Sequence, residues 1–231
     1  MVGRGESKEY MEWVALRLRR RFGRKRASRE RDLVALLVKT VLSQNTNDLN
    51  RDRAFDSLRR AFPRYQDITR ASLPAIEKAI RVAGLERQKA LRLRQILSRL
   101  QKENHKLNLS FLCKMPQDQA REYLLSFKGV GMKTASVVLL FGCGMAFFPV
   151  DTHILRVTQR LGVVPARATA KKAHEILGAM VPSGLGYELH LNLIEHGRNI
   201  CKSRKPDCPV CPLNRRCRYY HTVWLKNERA A

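Results

Sequence analysis

Four cysteines, Cys201, Cys208, Cys211 and Cys217, follow the spacing C-x6-C-x2-C-x5-C. Thiolates this near in sequence can close around one metal centre, because short loops lose little entropy on closure. Four cysteine ligands suit tetrahedral zinc or an iron–sulfur cluster alike, and the spacing does not choose between them. Lys202, Arg204 and Lys205 form a small basic loop between the first two cysteines, pinned at both ends and pre-organised to meet phosphates. Cys113 and Cys143 lie far from the quartet in apolar surroundings and read as buried core thiols.

A second group centres on an amine. Phe127-Lys128-Gly129-Val130-Gly131-Met132-Lys133-Thr134-Ala135 lies between two helical patterns. Gly129 and Gly131 permit a tight turn and close backbone approach. A helix beginning near Met132 would aim free N–H groups out of that turn, an anion site suited to a phosphate. Lys133 falls in the first turn of this helix, where the dipole disfavours a cation. With Lys128 nearby and any burial, it is pushed toward a neutral amine, which is a nucleophile. Asp151 reads as a helix N-cap; its carboxylate can also stabilise a cationic transition state or assist proton transfer.

Charge says what these groups would meet. The 231 residues hold 45 Lys+Arg against 20 Asp+Glu, a net +25. That excess is too large for an enzyme of neutral metabolites and predicts a polyanion, most simply nucleic acid. Apolar residues at 44% supply a real core, so a disordered basic tail is excluded. Arg17 to Arg31 carries nine basic residues against Glu30 alone, a candidate phosphate-facing surface. The first thirteen residues lack the apolar run of a signal peptide, and the apolar stretch 135–150 is broken by Gly142, Gly144 and Pro149. A cytoplasmic protein with no membrane partner and no disulfide framework is expected.

The elements that must position these groups are helical. Leu33, Val34, Leu37, Val38, Val41 and Leu42 repeat at helical spacing, as do Leu93, Ile96, Leu97 and Leu100. Ser72 with Pro74 starts a helix and Gly84 stops it; Pro116 opens another running to Phe127. Asp151 caps residues 152–161, and Thr169 precedes a stripe of Ala173, Ile176, Leu177 and Met180. No alternating strand and no repeat is found, so the fold class is all-α.

Three separated segments now carry a likeness: Gly129 to Ala135, then Val150-Asp151-Thr152-His153, then His196-Gly197-Arg198 leading into the cysteine quartet. The chain resembles the endonuclease III branch of the helix–hairpin–helix DNA glycosylases over nearly its whole length. The resemblance implies a six-helix barrel lobe from residues 27–145, with the helix–hairpin–helix near 116–142. It implies a second lobe from 1–26 and 146–231, in which the four cysteines hold a [4Fe–4S] cluster. It further implies a monomer, nucleoid-associated in a prokaryote, that binds double-stranded DNA with a damaged base or an abasic site. The damaged nucleotide would leave the stack. Lys133 would attack the anomeric carbon, Asp151 would stabilise the developing charge, and β-elimination would cut the strand 3′ to the lesion. Oxidised pyrimidines are the expected substrates.

The same likeness assigns DNA contacts to Gln44 or Asn45, one of which would fill the gap left by the extruded nucleotide. It makes Leu85 a wedge on the opposite strand, and adds Lys128, Gly129, Val130, Gly131, His153, Lys202, Arg204 and Lys205. The chain departs from the family where Phe127-Lys128 replaces a common Leu-Pro and Met132 replaces a common Arg. Two other readings stand beside this one. A monofunctional T/G or U/G mismatch glycosylase of the same fold would release a base without cutting the strand. A non-catalytic DNA-binding module would use the cysteines for structural zinc.

Overall fold

The computed structural model describes residues 4–104 and 107–230. In chain order the α-helices are α1 (Arg4–Phe22), α2 (Leu33–Leu42), α3 (Asp48–Ala61), α4 (Tyr65–Arg70), α5 (Leu73–Ile80), α6 (Glu86–Asn104), α7 (Gln117–Leu125), α8 (Met132–Val137), α9 (Thr152–Leu161), α10 (Ala170–Met180), α11 (Gly186–Asn199) and α12 (Leu225–Ala230). No strand occurs among the described residues, so the protein is all-α. Among them, no helix is long and apolar enough to cross a membrane.

Side chains fix where several helices begin. Asp151 accepts from the Ile154 N–H at 2.8 Å, Thr169 from Lys172 at 3.2 Å and Ser72 from Ala75 at 3.4 Å. Each satisfies one of the N–H groups a helix start leaves without a partner. The α5 helix stops earlier than the Gly84 signal implies: it ends at Ile80, and a 3-10 turn, Arg81–Ala83, carries the chain on to Gly84 at φ +68°. Likewise α7 ends at Leu125 rather than Phe127. The Ser126 N–H closes onto Glu122, and that of Phe127 onto Leu124, tightening the chain into the hairpin.

The chain divides into two compact units, Arg29–Met145 and Met1–Ser28 with Ala146–Ala231. In the first, α2 buries Leu33, Val34, Leu37, Val38, Val41 and Leu42, and α6 buries Leu93, Ile96, Leu97 and Leu100. Ile68, Ile76 and Ile80 of α4 and α5 fill the space beside them. In the second, Met11, Val14 and Leu18 of α1 share one core with Ile154, Val157 and Leu161 of α9 and with Leu189 and Leu193 of α11. Burying one such side chain contributes about 1.5–3 kcal/mol.

Two expectations fail in these units. Cys113 and Cys143 are not buried thiols: Cys113 is exposed, Cys143 half-buried, and the two form a disulfide with Cα atoms 4.9 Å apart. A 3-10 turn, Ser110–Lys114, brings the first cysteine beside the end of a π-helical stretch, Val138–Cys143, that carries the second. Neither turn leaves a signal in the residue spacing. The basic run is also not wholly a phosphate-facing surface. Arg19 makes a two-pronged ion pair with Glu188 at 2.7 and 2.8 Å, Lys25 pairs with Glu195 at 3.0 Å, and Arg17 donates to the Pro212 carbonyl. These three cations are spent on holding their own unit together.

Candidate active-site residues and metal centre

In the Arg29–Met145 unit, α7 and α8 are joined by a hairpin closed by the Val130 N–H, which donates to Phe127 at 3.0 Å. Its two glycines do different work. Gly129 has φ +87°, a conformation that demands glycine, and a Cβ there would sit 2.7 Å from the Arg92 side chain and displace it. Gly131 caps α8 in extended backbone with open space around it, which leaves room for a ligand to approach the helix start. Lys128 is exposed, whereas Val130 is buried, so only the backbone of Val130 can meet DNA. Lys133 is half-buried in the first turn of α8, followed by buried Thr134, Ala135 and Ser136.

The loop after α2 reaches this hairpin. Gln44 donates its amide to the Gly129 carbonyl at 3.2 Å and accepts from Arg92 at 2.6 Å. Asn45 is instead exposed, with a left-handed φ of +52°. Leu85 is 49% exposed at φ +51°. Among the described residues, the third non-glycine in this region is Lys205, at φ +47°. Such backbone costs of order 1 kcal/mol or more and tends to gather at ligand-binding sites. The chain carries it at three residues marked for DNA contact.

Sequence reading missed two cations in this unit. Arg92 was one of many arginines on α6. Lys89 is fully buried, its Nζ donating to the carbonyls of Leu42 and Ala83, both at 2.8 Å. Burial, and then the neighbouring Arg92, lowers its pKa from the usual lysine value.

In the other unit, Asp151 is half-buried at the start of α9. Two buried histidines hold the segment leading into it: Nδ1 of His174 donates to the Phe148 carbonyl at 3.1 Å and Nδ1 of His190 to that of Pro149 at 3.0 Å. The acceptor is a carbonyl, so each Nδ1 carries the proton. His153 is half-buried with its Nδ1 3.2 Å from Arg156. Further along α9, Arg156 donates to the carbonyls of Gly197 at 2.7 Å and Cys201 at 3.0 Å. Arg160 donates to those of Lys202 and Ser203 at 2.6 and 3.0 Å. One helix thus holds the acid at its start and the cysteine loop one turn and two turns on. Two arginines four residues apart were a legible signal for this face.

Cys201, Cys208, Cys211 and Cys217 line one pocket with Arg160 and His196, and none of the four is in a disulfide. Among the described residues, no group of three or more His, Cys, Asp or Glu side chains stands close enough to hold a single metal ion. The donor chemistry nevertheless fits a cationic centre. Burial, and then the other cysteines, pushes Cys208 up to about 11. Burial chiefly pushes Cys211 up to about 12 and raises Cys217. Cys208 and Cys217 are buried, Cys201 and Cys211 half-buried; as thiolates the four would repel one another, and positive charge between them would remove that repulsion. Arg160 already approaches Cys201 Sγ at 3.4 Å. Burial, then Arg156, pushes His196 down to about 4, so its ring is neutral at neutral pH. Lys202, Arg204 and Lys205 are all exposed on the loop that the pocket anchors.

A helix–glycine hairpin–helix with a lysine in its second helix, and a four-cysteine loop in a second helical unit, define a DNA-repair glycosylase fold. Residues 38–183 match the HhH-GPD superfamily of base excision DNA repair proteins, and the chain belongs to this family, in its endonuclease III branch. It is 36% identical to endonuclease III of Sulfolobus acidocaldarius over 82% of this chain and 83% of that protein. It is 34% identical to endonuclease III of Thermotoga maritima over 91% and 93%. A DNA glycosylase homologue of Arabidopsis thaliana is 40% identical over 77% of this chain, which spans 64% of that protein's length. Among solved structures, endonuclease III in a non-covalent DNA complex superimposes with a TM-score of 0.81 at 26% identity, covering 99% of this chain and all of that one. Endonuclease III trapped as a covalent intermediate with DNA gives 0.80 at 26% identity, with full coverage of both chains.

Proposed function

We propose that the protein removes oxidised pyrimidines from double-stranded DNA and then cuts the strand 3′ to the abasic site. Base removal coupled to strand scission is the chemistry of the endonuclease III branch to which the chain belongs. The observation that carries the reading is Lys133: a half-buried primary amine one residue into the helix that follows an open glycine hairpin. A similar chain, endonuclease III, has been trapped in covalent linkage to DNA.

Each residue has a defined task. The exposed hairpin, with Lys128 and the N–H groups at the start of α8, takes backbone phosphates. Asn45 and Leu85 enter the duplex as the lesion leaves the stack. The Lys133 amine then bonds to C1′ as the glycosidic bond breaks and the base departs with its electron pair. The Asp151 carboxylate stabilises the positive charge on the sugar and takes the proton lost by the amine. Ring opening gives a Schiff base, which acidifies a C2′ proton. Its removal expels the 3′ phosphate. Only a primary amine gives this imine, so a strand-cutting enzyme fits the chain better than a monofunctional one.

Cys201, Cys208, Cys211 and Cys217 would hold a [4Fe–4S] cluster. That cluster would supply positive charge among four thiolates and so fix the Lys202–Lys205 loop for phosphate contact. His153 lies beside Arg156, which holds the Cys201 carbonyl, and would meet DNA next to this loop.

The test is incubation with duplexes carrying thymine glycol, an abasic site, 8-oxoguanine or a T/G mismatch, with borohydride added to trap an imine. Cleavage and trapping on thymine glycol are expected. Base release from T/G without trapping would instead establish the monofunctional activity. A colourless, iron-free active preparation would overturn the cluster.

A further inference from the structure

We infer that Lys89 is a positioning residue that couples Asn45 and Leu85, so that both enter the duplex as one unit. The inference rests on the reading that these two residues insert. It goes beyond that reading by naming what holds them together.

Lys89 lies in the first turns of α6 and has no solvent exposure. A buried ammonium is costly, and an apolar residue of the same length would fill the space at lower cost. What the charge adds is geometry. One proton goes to the carbonyl of Leu42, the last residue of α2, and another to that of Ala83, the last residue of the 3-10 turn. Both carbonyls lie at helical C-termini, where partial negative charge accumulates and a cation is favoured. Asn45 lies three residues beyond the first, and Leu85 two beyond the second. The backbone N–H of Lys89 also holds the Leu85 carbonyl at 2.9 Å. One residue therefore grips both loops at the point where each leaves its helix.

The loops need such a grip. Asn45 and Leu85 both stand in left-handed backbone, which persists only when the surroundings over-determine it. Arg92, one helical turn along α6, adds a second tie through Gln44 to the hairpin carbonyl of Gly129. The start of α6 thus gathers the two inserting loops, and behind them the hairpin, onto one cationic face.

The experiment uses the full chain and a duplex with a tetrahydrofuran abasic analogue opposite 2-aminopurine. Fluorescence of the purine reports insertion into the stack, and titration reports affinity. Asn45→Ala and Leu85→Ala are each expected to weaken analogue binding about tenfold, and the double variant to lose little more than either alone, because coupled residues are not additive. Lys89→Met is expected to abolish the fluorescence rise and the preference for the analogue while keeping charge-driven binding to undamaged duplex. A Lys89→Met protein with wild-type fluorescence and preference would overturn the coupling, and the insertion reading would survive if the Asn45 and Leu85 variants are still impaired. Should Lys89→Met fail to fold, the Asn45/Leu85 cycle decides alone: losses that multiply overturn the proposal, and losses that do not multiply support it. If neither single variant weakens analogue binding, the insertion reading is wrong and the coupling falls with it.

Discussion

The side-chain amide of Gln44 donates to the backbone carbonyl of Gly129, 85 residues away in sequence and 3.2 Å away in space. This bond ties the loop after α2 to the hairpin that precedes Lys133. Gln44→Ala should weaken binding to abasic-analogue DNA by up to about 30-fold, since it removes two hydrogen bonds worth about 1 kcal/mol each. Gln44→Glu should be worse than Ala, because its carboxylate would lie against the Gly129 carbonyl oxygen and be repelled by it. Fluorescence anisotropy of the three proteins checks the order.

Lys133→Gln removes the amine but keeps a polar side chain, one bond shorter, at a half-buried position. Strand cleavage at an abasic site should fall by roughly three orders of magnitude or more, as for other nucleophile deletions. Borohydride should no longer yield a protein–DNA band on a denaturing gel, while DNA binding persists. Native-rate trapping by the variant would remove Lys133 from the nucleophile's role.

Asp151 has two separable tasks, and substitutions divide them. Asn caps a helix about as well as Asp, so Asp151→Asn should leave unfolding free energy nearly unchanged while base release falls about 100-fold or more. Asp151→Ala should lose the same activity and a further ~1 kcal/mol of stability, because the Ile154 N–H loses its partner. Denaturant titration beside single-turnover kinetics separates the two losses.

Gly197 lies where α11 meets α9, and a Cβ there would stand 2.9 Å from the His153 Cβ. Backbone must shift to admit it, so Gly197→Ala should cost about 1–3 kcal/mol. The Arg156 bond to the Gly197 carbonyl would move with it, loosening the cysteine loop. Urea unfolding of the variant measures the cost.

The Cys113–Cys143 disulfide closes a loop of sequence separation 30. Chain-entropy arguments assign such a cross-link about 3–4 kcal/mol. Replacing both cysteines by serine should lower the stability of the Arg29–Met145 unit by that order, with the fold retained. Denaturant unfolding of the double variant against the oxidised parent gives the difference.

Much of this protein was legible before its structure. Helical periodicity placed α2, α6 and α10, because apolar side chains three and four apart must share a face. Cap residues Ser72, Asp151 and Thr169 marked helix starts through a local bond to the backbone. The quartet of cysteines and Gly129, four residues before Lys133, are equally local, since ligand spacing and positive φ are properties of a few consecutive residues. The family likeness rests on these short segments.

What the linear order could not show is which distant groups share a bond. Lys89 and Arg92 look like any cations on a basic helix. Burial of one, and the Gln44 bridge of the other, arise only when α2, the hairpin and α6 pack together. Cys113 and Cys143 became partners because a 3-10 turn and a π-helical stretch meet, and neither has a spacing signature. Gln44 and Asn45 are neighbours of similar chemistry. Backbone φ turned one outward while a tertiary carbonyl held the other in place. Local chemistry set the reacting groups and the helices, and long-range packing chose which polar atoms were left to meet a ligand.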